Sequence, residues 1–174
     1  MNPFINIHTH HNHIDNKEFI EIKNIDVDNL VNVDVTFFYS IGIHPWHCQQ
    51  STVNGQQLEL ELEDKLGILT SQCFDDSNLK AIGECGIDRV CGIDIEIQKD
   101  VFMKQIKISE QYNKPMIIHA VRSHSDILSI RKETKAKMPW IIHGFQGNEQ
   151  IVSQYLRHNI YLSLGDVLFK NECR

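Results

Sequence analysis

The sequence predicts an α/β fold of the TIM type, a parallel (β/α) barrel, with no eighth strand legible in this chain. Three observations predict it. Short apolar runs alternate with amphipathic helical stretches through the second half, the rhythm of βα units. The connections between them are short. Five of the apolar segments carry a metal-ligand-type side chain at or just past their ends: FINIHTH (4–10), SIGIHP (40–45), AIGECG (81–86), MIIHA (116–120) and WIIHG (140–144). Polar residues gathered at strand ends are how a parallel barrel builds an active site.

The elements follow in order. Phe4–His8 reads as a first strand that starts after Pro3. Residues 19–32 alternate only in places and read as a strand and a short turn. Thr36–Ile43 is an unbroken strand-forming run ended by Pro45. Gln56–Cys73 is helical, with Leu58, Leu62, Leu66 and Leu69 at helical spacing. Leu79–Gly83 is a strand. Asp94–Tyr112 is a long amphipathic helix carrying Val101, Phe102 and Ile106, stopped by Asn113, Lys114 and Pro115. Met116–His119, Trp140–His143 and Ile160–Leu164 are strands, separated by helices over Ser125–Thr134 and Asn148–Arg157.

The chain has 174 residues, enough for one domain with a real core, and no linker or repeat divides residues 1–174. Hydrophobic residues make up 41%, which excludes a disordered chain. The net charge of -6 leaves no basic footprint, so nucleic-acid affinity cannot come from bulk positive charge. Bound divalent metals would supply that attraction locally. The five cysteines (Cys48, Cys73, Cys85, Cys91, Cys173) form no CxxC pair and read as free thiols of a reducing compartment. No signal-peptide pattern and no membrane span is legible, so the expectation is a cytoplasmic protein.

The candidate site residues each have an ordinary explanation alone and a chemical one together. His8 and His10 are two apart, so a strand puts both rings on one face, where one cation can be held by both. The alternative is a surface cluster, because His11 and His13 follow. Glu84 lies between Gly83 and Cys85–Gly86, where glycine lets the backbone approach closely. A carboxylate there can bridge two metals and polarise a water; alone it would be a solvated strand-end glutamate. His119 and His143 each close an apolar run, and as neighbours at one barrel mouth they could hold a second metal. A lone histidine in such a place is more often a hydrogen-bonded core residue. His44, before Pro45, either orients a substrate phosphate or metal-bound water, or is a structural histidine near the rim. Arg122 is placed to pair with an anionic group such as phosphate, or is an ordinary surface arginine. Cys85 has no evident base and reads as a packed thiol. Imidazole and carboxylate together suit a borderline divalent cation, which points to a metal-dependent hydrolase.

The segments INIHTH, GIHPW, AIGECGID, KPMIIHAVRS and WIIHGFQGN, in this order, resemble the TatD family of metal-dependent hydrolases within the amidohydrolase superfamily. Any one is weak; five in order, from residue 5 to about residue 165, are specific. The resemblance implies a two-metal site (Mg, Mn or Zn) acting on DNA, since members are described as deoxyribonucleases, including 3′–5′ exonucleases. By this match His8 and His10 hold one metal, Glu84 bridges, and His119 and His143 hold the other. Glu84 would hold a hydroxide that attacks phosphorus, while the metals and Arg122 offset the developing charge. The family also carries a metal-binding aspartate in an E-T-D segment of its eighth strand, which is not reached by Arg174, and Asp166 is not its equivalent. The expectation is therefore a natural chain that continues, or a shortened copy with an open barrel edge. The alternatives are hydrolysis of a small phosphoester, amide or lactone, or an inactive relative that binds metal without turnover.

Overall fold

A computed structural model describes residues 4–10, 19–27, 36–48 and 57–165. Within them, β1 (Phe4–Thr9), β2 (Phe19–Asp26), β3 (Tyr39–Gly42), β4 (Leu79–Asp88), β5 (Met116–Val121), β6 (Trp140–Ile142) and β7 (Ile160–Leu162) form one 7-stranded sheet in chain order. Every neighbouring pair is parallel. Helices α1 (Gln57–Asp75), α2 (Ile95–Tyr112), α3 (His124–Thr134) and α4 (Glu149–Arg157) fall between successive strands from β3 onward. This is the TIM-type arrangement short of its eighth strand, as the alternation predicts. The sheet curls: the ring of His8, on β1, lies 3.9 Å from that of His143, just past β6, with β2 to β5 between them in the sheet order.

Burial explains why the central strands read as apolar runs. All of β3 is buried, and β4 is buried except at Lys80. Their outward side chains pack beneath α2, where Val101, Phe102 and Ile106 join Cys85, Ile87 and Trp140 in one cluster. Phe102 and Trp140 meet with ring centroids 5.3 Å apart. Each such buried side chain contributes about 1.5–3 kcal/mol.

The helix ends are chemically marked. Asp94 precedes α2 as its cap and accepts from the N–H groups of Glu96 and Ile97; Asn113 ends the helix at φ 52. Asn148 likewise caps α4, accepting from Ile151 N–H. Both residues stand just outside the helices they were expected to begin.

Several strand limits differ from the sequence reading: β1 runs on to Thr9, β5 runs on to Val121, and β6 stops at Ile142. The run TFFYSIGI is strand only from Tyr39, because β4 lies alongside from the Tyr39–Leu79 pair onward. β4 continues five residues beyond Gly83, because Cys85–Asp88 pair with Ile118–Val121 of β5. β7 stops at Leu162, paired with Ile142, the last residue of β6 before the turn at His143–Gly144. The predicted turn at the end of residues 19–32 lies outside the described residues.

Candidate metal centre

β4 delivers Glu84 from mid-strand, not from a strand end as expected. Strand periodicity puts Glu84, Gly86 and Asp88 on one face and Cys85 and Ile87 on the other, against α2. The register slips by one residue here: Ile82 pairs with Met116 but Cys85 with Ile118, and such a bulge re-aims the side chains beside it. Two close approaches make glycine necessary. A Cβ on Gly83 (φ 134) would stand 2.3 Å from the Ile117 carbonyl oxygen, and one on Gly42 would stand 2.7 Å from Gly83 Cα. From β2, Asn24 holds the strand: its Oδ1 accepts the Glu84 N–H at 2.7 Å and the Ser40 hydroxyl at 3.2 Å.

The Glu84 carboxylate, 5% exposed, is the point on which the histidines converge. Its Oε1 lies 2.7 Å from His119 Nδ1 and 3.6 Å from His44 Nε2. Its Oε2 lies 3.2 Å from His8 Nε2 and 3.9 Å from His10 Nε2. The His8 and His10 Nε2 atoms are 3.0 Å apart, and His44 Nε2 is 3.2 Å from His119 Nδ1. Two sets of ligand-type atoms result, His8–Glu84–His143 and His44–Glu84–His119, each within 4.8 Å. The arrangement fits a cation chemically. Several lone-pair-bearing nitrogens face one carboxylate, and a single proton can bridge only one pair of them. His8 is buried, and its Nδ1 has no hydrogen-bond partner.

Electrostatics follows from burial and contact. Burial pushes the Glu84 carboxyl up, but hydrogen bonds from His119, His44 and His8 outweigh it and hold the group well below the usual carboxylate range. Burial, with the charge of nearby His8 adding to it, pushes His143 down to about 4, so its ring is neutral and able to ligate near pH 7. Burial also opposes charge on His119, yet its bonds to Glu84 and then Asp88 leave it raised. Cys85 is fully buried and its thiol pushed well up by burial, the inert packed thiol the sequence suggested.

A cleft of about 760 Å³ opens over this centre. Its walls include His10, Lys23, His44, Trp46, His47 and His143. His8, His10, His44, Glu84, His119 and His143 are thus brought together. Arg122, exposed after β5 at φ 50, does not line the cleft; Lys23 does, with its ammonium 5.1 Å from the centre of the Phe37 ring. Ring contacts pair His143 with His8 and His119 with His44. His44 is oriented through Nδ1, which accepts the Trp46 N–H at 3.2 Å. His11, His13 and Asp166 lie outside the described residues.

Sequence reasoning missed Asp88 and Asn24. Asp88 is 4% exposed and accepts from Trp46 Nε1 at 2.7 Å, with its Oδ2 3.1 Å from His119 Nε2. Period-two spacing from Glu84 was the available signal. Asn24 reaches Glu84 from two strands away, and local spacing carries no trace of that.

A parallel β/α barrel with a histidine–carboxylate centre at its mouth defines a metal-dependent hydrolase class. The family model described as TatD related DNase matches residues 21–174, and the chain belongs to that family. It is 29% identical over 94% of its length to an uncharacterized metal-dependent hydrolase of Buchnera aphidicola, covering 62% of that protein. It is 24% identical over 71% of its length to the 3′–5′ ssDNA/RNA exonuclease TatD of Escherichia coli, covering 44% of it. The crystal structure of a TatD family hydrolase from Entamoeba histolytica superposes with a TM-score of 0.66 at 19% identity, over 92% of this chain and 64% of that one. The chain therefore spans less than two thirds of the length of each of these relatives.

Proposed function

We propose that this centre hydrolyses phosphodiester bonds of DNA, acting from the 3′ end, with two divalent cations (Mg, Mn or Zn). The observation that carries the reading is a single buried carboxylate, Glu84, whose two oxygens face separate histidine groups. Divalent cations bound there would supply Lewis acidity and an activated water. The chain's own residues do the rest. His8, His10 and His143 form one side of the cradle, and His44 and His119 the other. Glu84 ties them together from a strand clamped on both sides. Lys23, on the cleft wall, offers a cation to a phosphate, and the exposed Trp46 ring offers a face to a base. The relative named as a 3′–5′ exonuclease supports this substrate class. The free thiols of the four described cysteines suit a reducing cytoplasm.

The test is loss of 3′-labelled single-stranded DNA with magnesium or manganese, with chelator, and with His10→Ala as contamination control. Metal-dependent shortening that the variant lacks supports the reading; none at any metal concentration defeats it. A second reading, hydrolysis of a small phosphoester, amide or lactone, draws on the cleft volume of about 760 Å³, a size typical of small-molecule pockets. Turnover of small esters with intact DNA would favour it. Cation binding without turnover of either substrate would mark an inactive member.

A further inference from the structure

We infer that Asp88 is the positioning residue of His119, fixing which ring nitrogen faces Glu84 and His44. The inference rests on the metal-binding reading above and deepens it. His119 presents Nδ1 to Glu84 Oε1 at 2.7 Å, so this is the nitrogen a cation shared with His44 would use. Its other nitrogen, Nε2, stands 3.1 Å from Asp88 Oδ2. When ionised, a carboxylate accepts and never donates, and in the metal-free protein Glu84 at Nδ1 and Asp88 at Nε2 both offer the ring an acceptor. A cation at Nδ1 takes the lone pair there, so the one proton the ring keeps is on Nε2, where Asp88 accepts it and holds the ring plane.

Asp88 is itself held rigidly. Its side chain is 5% exposed, its Oδ2 also accepts from Trp46 Nε1 at 2.7 Å, and its Oδ1 accepts the Val90 N–H at 2.7 Å. Its backbone is gripped by buried Gln98 of α2, whose Oε1 accepts the Asp88 N–H at 2.8 Å and whose Nε2 donates to the Asp88 carbonyl at 3.0 Å. Every polar atom of Asp88 therefore has a partner, and one of them is the ligand histidine. Trp46 follows His44 by two residues, so the same short turn that aims His44 also steadies the carboxylate behind His119.

The bond to Val90 gives Asp88 a purely structural role as well, and the test must separate the two. The first measurement uses Glu84→Gln, which leaves Asp88 as the carboxylate on the ring. Ring nitrogen and carbon NMR shifts of His119 would be recorded in this metal-free variant at alkaline pH, with His119→Gln in the same background assigning the signal. The Nε2–H tautomer is expected; the Nδ1–H tautomer overturns the proposal. The second measurement is Mn2+ affinity by calorimetry for wild type, Asp88→Asn and Asp88→Ala, with thermal melts alongside. Loss of about 10–100-fold is expected for Asp88→Ala, the scale for removing the partner of a ligand histidine. A smaller loss is expected for Asp88→Asn, whose amide oxygen can still accept. Melting temperatures that fall while Mn2+ affinity stays at the wild-type value would make Asp88 merely structural and overturn the proposal. If Asp88→Ala does not fold, the isosteric Asp88→Asn and the His119 tautomer in Glu84→Gln decide. If wild type binds no Mn2+, the metal-binding reading fails separately, and the His119 tautomer still judges Asp88.

Discussion

Gly86 on β4 lies so close to His119 on β5 that a Cβ there would stand 2.2 Å from the His119 carbonyl oxygen. Gly86 also has φ 136, a conformation side chains rarely adopt. Close contact at this point sets the distance between the Glu84 strand and the His119 strand. Gly86→Ala is expected to cost roughly 1–3 kcal/mol in backbone strain, with the clash adding to it. Urea denaturation reads the stability loss, and a Mn2+ titration should show weaker binding as β5 moves away.

Gln105 extends the same logic to His44. It is fully buried on α2, where its Oε1 accepts the Ile43 N–H at 2.8 Å and its Nε2 donates to the Ile43 carbonyl at 3.0 Å. Gln105→Leu keeps the volume but strips both bonds from a buried backbone. The expected cost is about 1–3 kcal/mol for each orphaned group. An unchanged urea midpoint would show that Ile43 finds other partners.

Glu84→Gln tests the shared carboxylate. A ligand that binds only the folded protein stabilises it by about 2.7 kcal/mol at a hundred times its dissociation constant. Wild type is expected to gain thermal stability with Mn2+ in this way, and Glu84→Gln to gain almost none. Hydrolysis should fall by on the order of a hundredfold or more, the scale of losing a directly placed electrostatic group. Equal Mn2+ stabilisation of both proteins would remove Glu84 from the ligand set.

The acid side of the stability profile should depend on Asp126. Arg89 donates to it from Nε and Nη2, both at 2.8 Å, and holds its carboxyl below the ordinary value against the effect of burial. A carboxyl with a lower pKa folded than unfolded binds more protons when unfolded, so its contribution is complete above the unfolded value of about 3.9. That contribution is lost as pH falls through the unfolded value and then the folded one. Asp126→Asn is therefore expected to be less stable than wild type at neutral pH, with a shallower loss in acid. Guanidinium midpoints across the acid range compare the two slopes; parallel curves would contradict the assignment.

Much of this organisation was legible because it is local. The apolar runs ending in His119 and His143 follow from spacing that the sequence carries within a few residues, and Asp94 and Asn148 were legible as helix starts though not as caps. The seven parallel strands follow from alternation. Glu84 was legible as a residue but not as a mid-strand one, because the extension of β4 depends on β5 lying alongside. The pairing of His143 with His8 was not legible at all: it joins strands brought together only when the sheet curls. Arg122, close to His119 in sequence, is exposed at a positive φ after β5 and is not among the residues that line the cleft.

The clamps on β4 have a consequence for how such a protein can change. Glu84 and Asp88 stand on a 10-residue strand whose backbone is gripped by Asn24, Gln98 and the β5 ladder. Lys23, Trp46 and His47, by contrast, line the outer cleft around that fixed centre. On the proposed reading, the reactive groups and the groups that would meet a substrate are separable parts of the molecule. New cargo could then be admitted by rewriting the rim, while the core stays where it is.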